Sequence, residues 1–194
     1  SQREAIQKAG FVFEPYRSPG TWTATGERSL IQNSVAFLGV LTNRGFGDDL
    51  LASVGRTPTD LVVVDCLLYG PLEAARKVGL RRAVLVHSLY GVVSRMMAGG
   101  PAGTIARLAG FRPRALWASA ELVIVATLRE LDLPPLPADT AVALSYTGPA
   151  IPDELGKPDR IGTEPTVLVS LSTTFIARQT RILQAVLDGL APLP

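Results

Sequence analysis

The run Leu61-Val62-Val63-Val64-Asp65-Cys66 limits the possible folds more than any other stretch of this chain. Its apolar, mostly β-branched residues follow one another without polar alternation. They read as a strand buried on both faces, the kind that lies inside a parallel sheet covered by helices. The run ends in a carboxylate. Ligands of open α/β sheets bind outside the carboxyl ends of the strands, which makes Asp65 a candidate site residue. The alternative is that Asp65 only caps the helix that follows, since aspartate is a favoured N-cap.

Composition is consistent with such a sheet. A chain of 194 residues that is 47% hydrophobic can bury a sizeable core, as one domain or as one domain and part of another. The net charge of +2 comes from scattered residues of both signs, with no basic block, so nucleic acid is not an expected partner. Cys66 is the single cysteine, and no charged-then-apolar leader opens the chain at Ser1. The expectation is therefore a cytoplasmic protein without disulfides. Arg, Gly or Pro interrupts each apolar run well short of the roughly 18 residues of a membrane-spanning helix, so no transmembrane segment is expected.

Taken in order, residues 1–9 read as the end of a helix stopped by Gly10, and Phe11-Val12-Phe13 as a short strand. A domain that opens this way is expected to lack its first βα unit. Residues 16–26 read as a loop, with Trp22 packing over the sheet or lining a cleft. Helical spacing runs from Leu30 to Val54, with Gly45 and Gly47 expected to divide it into two helices. After the Asp65 strand, Gly70-Pro71 opens a helix that Gly79 stops, and Ala83 to Val86 forms the next strand, giving a parallel crossover. That strand ends in His87-Ser88. His87 is the only histidine, and such a residue is either a neutral, hydrogen-bonded core group or a site residue.

Short helices are expected over 92–97 and 104–108, with Met96 and Met97 filling core or softening the wall of a hydrophobic pocket. Leu122 to Ala126 is a third buried strand, followed by Thr127. The proline-rich stretch from Leu133 to Asp139 reads as a rigid connector that cannot be helix, and Ala141 to Tyr146 as a short strand. Residues 151–165 read as a linker. Val167 to Leu171 then starts a fresh strand, Ser172-Thr173-Thr174 a polar turn, and Ile182, Leu183, Val186, Leu187 and Leu190 the core face of a helix. The fold class is α/β, a Rossmann-like parallel sheet flanked by helices. The expected domains are 1–150, a linker over 151–165, and the start of a second Rossmann-like domain over 166–194.

Several of these strands end in polar residues: Asp65, His87 with Ser88, Thr127, and Ser170 with Ser172 and Thr173. In a doubly wound sheet such ends line one edge. The Ser/Thr turn before a helix could hold a phosphate or serve as a simple N-cap. Fingerprints for a dinucleotide oxidoreductase, a Walker-type kinase or a serine hydrolase are missing, as is metal-ligand spacing. No cofactor or metal is expected. Cys66 reads as a small buried residue.

The motifs "TPTDLVVVDCLLYGPLEAARKVGLRRAVLVHSLYG", "ASAELVIVATLRELD", "YTGPAIPDE" and "PTVLVSLSTTF" with "QTRILQAVLDGLAPLP", in this order, resemble the nucleotide-sugar glycosyltransferases of the macrolide and UDP-glucuronosyl type. The resemblance covers nearly the whole chain from Gly10 onward. It implies a GT-B architecture, two Rossmann-like domains facing across a cleft, with acceptor bound mainly by the first and donor by the second. It also implies inverting transfer from a UDP- or dTDP-sugar donor to a hydroxyl of a hydrophobic small-molecule acceptor, in a bacterial natural-product context. In the family an early histidine is the general base and an aspartate at the end of a later strand orients it. Asp65 matches that aspartate. His87 lies in a different motif from that base, at the wall of the acceptor cleft, and is not expected to act as the base; with Ser88, Met96 and Thr127 it matches the acceptor side, and Ser172 and Thr173 match the approach to the donor phosphates. The Gly-rich loop bearing the base and the donor-binding His-Gly-Gly segment are not in this sequence, so the chain by itself is expected to be an inactive fragment. The competing reading is a non-catalytic α/β module that binds an apolar ligand; an oxidoreductase with an altered fingerprint ranks behind both.

Overall fold

A computed structural model describes residues 2–17, 30–149, 167, 169 and 179–191. The chain divides into two compact units, Ser1–Gly20 with Leu38–Pro149, and Thr21–Phe37 with Ala150–Pro194.

The first unit is built on a four-stranded, wholly parallel sheet in the order β1 (Val62–Asp65), β2 (Arg82–Val86), β3 (Leu122–Val125), β4 (Leu144–Tyr146). The α/β fold class expected from the sequence is the one observed. Helices α1 (Gln2–Lys8), α2 (Leu30–Leu41) and α3 (Gly45–Arg56) precede the sheet. Helix α4 (Tyr69–Lys77) joins β1 to β2. Between β2 and β3 run α5 (Tyr90–Val93), a π-turn over Ser94–Gly99, α6 (Pro101–Leu108) and α7 (Pro113–Ala118).

Local sequence explains the punctuation. Gly10 and Gly79 take positive φ of 85° and 71°, as residues just past a helix end commonly do. After α1, the Phe11 N–H reaches back to the Ile6 carbonyl at 3.1 Å and the Gly10 N–H to Gln7 at 3.0 Å, which closes the helix. Proline occupies the first turn of both α6 and α7, where no intrahelical donor is needed. Helices α3 and α4 cross closely. A Cβ on Gly47 would lie 2.8 Å from the Gly70 carbonyl oxygen, and one on Gly70 would lie 2.2 Å from that of Asn43.

The core lies on one face of the sheet, where Val64, Val84, Val86, Val123 and Val125 are buried with Tyr69, Leu72, Tyr90, Phe111 and Trp117. The indole of Trp117 donates to the Cys66 carbonyl at 3.1 Å, tying α7 to the end of β1. Its ring meets that of Tyr90 edge-on at 6.0 Å. Burial of several large aromatic rings contributes on the order of 1.5–3 kcal/mol each to this core.

Several expectations need correction. The Asp65 strand is buried on one face only: Val63, on the other, is 56% exposed. Among the described residues β1 pairs with β2 alone. Phe11-Val12-Phe13 is not a strand, and Val12 is 95% exposed. A three-residue extended run has no ladder of its own and needs a neighbouring strand to bond with. Gly45 does not break the long helical pattern but opens α3, and Gly47 lies inside it; the break is at 42–44. The proline connector includes one 3-10 turn, Pro137–Asp139, because a tight single turn tolerates proline at its first position.

In the second unit, the start of α2 and helix α8 (Gln179–Leu190) are described. Helix α8 forms where its 3.6-residue apolar period places it, but none of its residues is buried among those described, so Ile182 and Leu187 are exposed rather than core. Trp22, the linker over 151–165 and the donor-side candidates Ser172 and Thr173 lie outside the described residues, as does most of the strand expected from Val167.

Candidate functional site

Register builds the site. Asp65 pairs with Leu85 across the β1–β2 ladder. Side chains alternate along a strand, so the residue two past Leu85, His87, returns to the face that Asp65 occupies, on the diagonal. The ladder continues one residue past Asp65 through the Cys66 N–H to the Leu85 carbonyl at 2.9 Å, which holds both strand ends in place. As a result His87 Nδ1 lies 3.0 Å from Asp65 Oδ2.

Asp65 is not the N-cap of α4, a position taken by Leu68. It closes a tight turn instead: Oδ1 accepts the Leu67 N–H at 2.8 Å and the main-chain carbonyl accepts the Leu68 N–H at 3.0 Å. One oxygen is thereby fixed by the backbone and the other is left for the imidazole. The side chains of Asp65 and His87 are 34% and 55% exposed. His87 is thus not the buried core histidine that its strand-end position allowed; it is a half-open group with a carboxylate on one nitrogen. Such a neighbour favours a proton on the nitrogen that faces it.

Two neighbours were not singled out as site residues in the sequence. Cys66 is fully buried, and burial, followed by the charge of Asp65, pushes its thiol well up from the ordinary value. Tyr16 packs edge-on against Phe46 at 4.6 Å, and its phenol is raised by burial and then by the charges of Asp49 and Asp65. Tyr16 sits in a stretch whose composition says only loop, so no sequence signal marks it. Between this stretch and α3 lies a cavity of about 170 Å³, lined among others by Glu14, Tyr16, Asp49, Ser53 and Arg56.

The remaining candidates lie apart from this contact. Ser88 is exposed beside His87, and Thr127 follows β3 half-buried, its carbonyl accepting the Gly148 N–H at 3.2 Å. Met96 is exposed on the π-turn, so it is not core filling. Among the described candidates, the fold brings Asp65 and His87 into contact.

Donor atoms of Asp65, Cys66 and His87 lie within 4.8 Å of one another, a cluster that sequence spacing does not reveal. Metals bind the thiolate, and burial together with the Asp65 charge raises the Cys66 thiol.

Two further carboxylates organise the loops beyond the sheet. Asp132 accepts the N–H groups of Tyr90 and Gly91, both at 2.9 Å, at the start of α5, and the Tyr146 hydroxyl at 3.0 Å. Asp139, wholly buried, accepts from Ser94 Oγ at 2.7 Å, Arg114 Nε at 2.9 Å and the Leu136 N–H at 3.1 Å. Among the described residues no helix is long and apolar enough to cross a membrane.

No protein-family model and no curated protein matches the sequence. The fold does have likenesses among solved structures. One is described as "Crystal Structure Analysis of the Glycotransferase of kitacinnamycin", with a TM-score of 0.56 at 19% identity over 98% of this chain and 53% of that one. The chain therefore spans about half the length of that protein. At this identity the likeness is one of fold, and it agrees with a Rossmann-like parallel sheet flanked by helices.

Proposed function

We propose that this chain belongs to the acceptor-binding side of a glycosyltransferase that moves a sugar, with inversion, from a nucleotide diphosphate donor such as a UDP- or dTDP-sugar to a hydroxyl of a hydrophobic small molecule. The observation that carries the reading is Asp65: a backbone-anchored, partly open carboxylate at the carboxyl end of a parallel strand, with one oxygen engaged by an imidazole nitrogen. The likeness in fold to a glycotransferase and the motif order from Asp65 onward support it.

In this reading the carboxylate accepts a hydrogen bond from one nitrogen of a histidine and stabilises the cation formed when the other nitrogen takes the proton of the acceptor hydroxyl. The hydroxyl oxygen attacks the anomeric carbon while the bond to the nucleotide diphosphate breaks. The resemblance assigns the base role to a histidine upstream of this sequence. Ser172 and Thr173 are assigned to the donor phosphates on the same basis.

The test is Asp65→Asn in the protein that carries this chain. Sugar transfer should fall by about 10³- to 10⁴-fold, the scale seen when an orienting carboxylate is neutralised, with little change in thermal stability. Unchanged turnover would remove Asp65 from the chemistry and favour a binding module.

A further inference from the structure

We infer that the groove between α4 and α7 binds the phosphoryl group of a small molecule, through guanidinium groups that the glycosyl-transfer reading does not use. The groove has a volume of about 420 Å³ and is lined among others by Glu73 and Arg76 of α4 and by Arg112, Ala115, Leu116 and Ser119. That volume lies in the range of small-molecule sites. The spacing of 112, 115, 116 and 119 is the period of one helix face, so α7 and its two flanking residues form a single wall. Arg82 opens β2, whereas His87 follows its end, so the guanidinium cluster and Asp65 belong to opposite ends of the sheet.

Arg82 carries the inference. It is only 6% exposed, and its Nη2 donates to the carbonyl and the hydroxyl oxygen of Ser119 in the groove wall, both at 2.6 Å. Both acceptors are neutral, and Nε has no partner among the described residues. Burial disfavours the cation first and the charge of Arg76 second, with Glu121 offsetting part of this. Arginine does not shed its proton, so a buried guanidinium without a paired carboxylate is stabilised by an anion brought from outside. Arg76 and Arg112 are exposed in the groove, and neither forms an ion pair among the described residues. Glu73 does not neutralise them, because it is taken up by Arg44 and by Lys77 at 3.6 Å. Arginines from both walls favour an anion with several oxygens and more than one charge. A phosphoryl group offers both; a carboxylate has two oxygens and a single charge.

The experiment uses the protein that carries this chain and inorganic phosphate as the probe. Phosphate is titrated to about 20 mM by calorimetry, with ionic strength held constant by KCl so that screening stays the same throughout. Arg76→Ala and Arg112→Ala should each weaken binding about 10-fold or more, with circular dichroism unchanged because both side chains are exposed. Arg81→Ala removes the same charge from an exposed position outside the groove and should leave Kd within about two-fold. Acetate at the same ionic strength should bind at least about 10-fold more weakly than phosphate. Phosphate held at any other site, such as one for a nucleotide donor, would bind all these variants alike, and that result would overturn the inference. No binding by the unmodified protein, equal binding of acetate, or an equal loss in Arg81→Ala would overturn it too. None of these outcomes bears on Asp65, so the glycosyl-transfer reading stands or falls separately.

Discussion

Asp65 and Asp139 are the same residue type placed in opposite circumstances. Asp139 is sealed inside, with the guanidinium of Arg114, the hydroxyl of Ser94 and the Leu136 N–H on its oxygens. Its partners cannot change protonation near neutrality, so the cluster can only fasten the connector after β3 to the π-turn. Asp65 has one backbone donor and one imidazole, both side chains partly in solvent. Its partner can gain and lose a proton. Burial and partner type, not the carboxylate itself, separate a structural aspartate from one that can take part in chemistry.

The contrast can be broken at several points. The largest expected structural effect is at Asp139. Asp139→Ala leaves Arg114 and Ser94 without their shared acceptor, and urea denaturation should show a loss of about 3–5 kcal/mol. A loss below about 1 kcal/mol would mean that the cluster contributes little and that the contrast with Asp65 is false.

A second test asks how dry the surroundings of Asp139 are. Burial raises the Tyr90 hydroxyl first and the Asp139 charge adds to it, while burial is the main cause for Tyr69. A folded value above the unfolded one means that the unfolded chain loses these protons first. Stability is then fully present below the ordinary tyrosine value of about 10 and falls as pH climbs beyond it. Melting curves between pH 7 and 11 should show Tm declining at the alkaline end, with a smaller decline in Tyr90→Phe. A flat profile would show that these rings are open to water.

The smallest effect is expected at the exposed ion pair of Glu14 with Arg56, both ends of which are well solvated. Arg56→Ala should change stability by no more than about 1 kcal/mol, less in high salt. A larger loss would give the segment over 14–17 a role in stability that its exposure does not support.

Legibility in the sequence followed the same divide. The β1–α4–β2 unit could be read because an unbroken apolar run, a Gly-Pro start and a glycine stop are local signals that tertiary contacts here reinforce. Asp65 could be singled out because it sits where such a run ends. Its contact with His87 could not, because it depends on which residue of β2 stands opposite Asp65, and nothing local states a register. Helix α7 is illegible for a related reason: six residues carry too little periodicity to announce a helix, and the contacts of Trp117 with the Cys66 carbonyl and the Tyr90 ring lie far along the chain. Asp132 and Asp139 lie in proline-rich loops, where partners far along the chain decide the role. Phe11 to Phe13 reads as a strand and is none, because an apolar triplet looks alike with or without a neighbouring strand.

The most direct measurement compares Asp65→Asn and Asp139→Asn side by side for sugar transfer and for Tm. Asp65→Asn should lose transfer by about 10³-fold or more and keep its Tm within a few degrees, whereas Asp139→Asn should lower Tm clearly and keep measurable transfer at a temperature where it is folded. Equal loss of stability in both, or full transfer by Asp65→Asn, would overturn the division between the two aspartates.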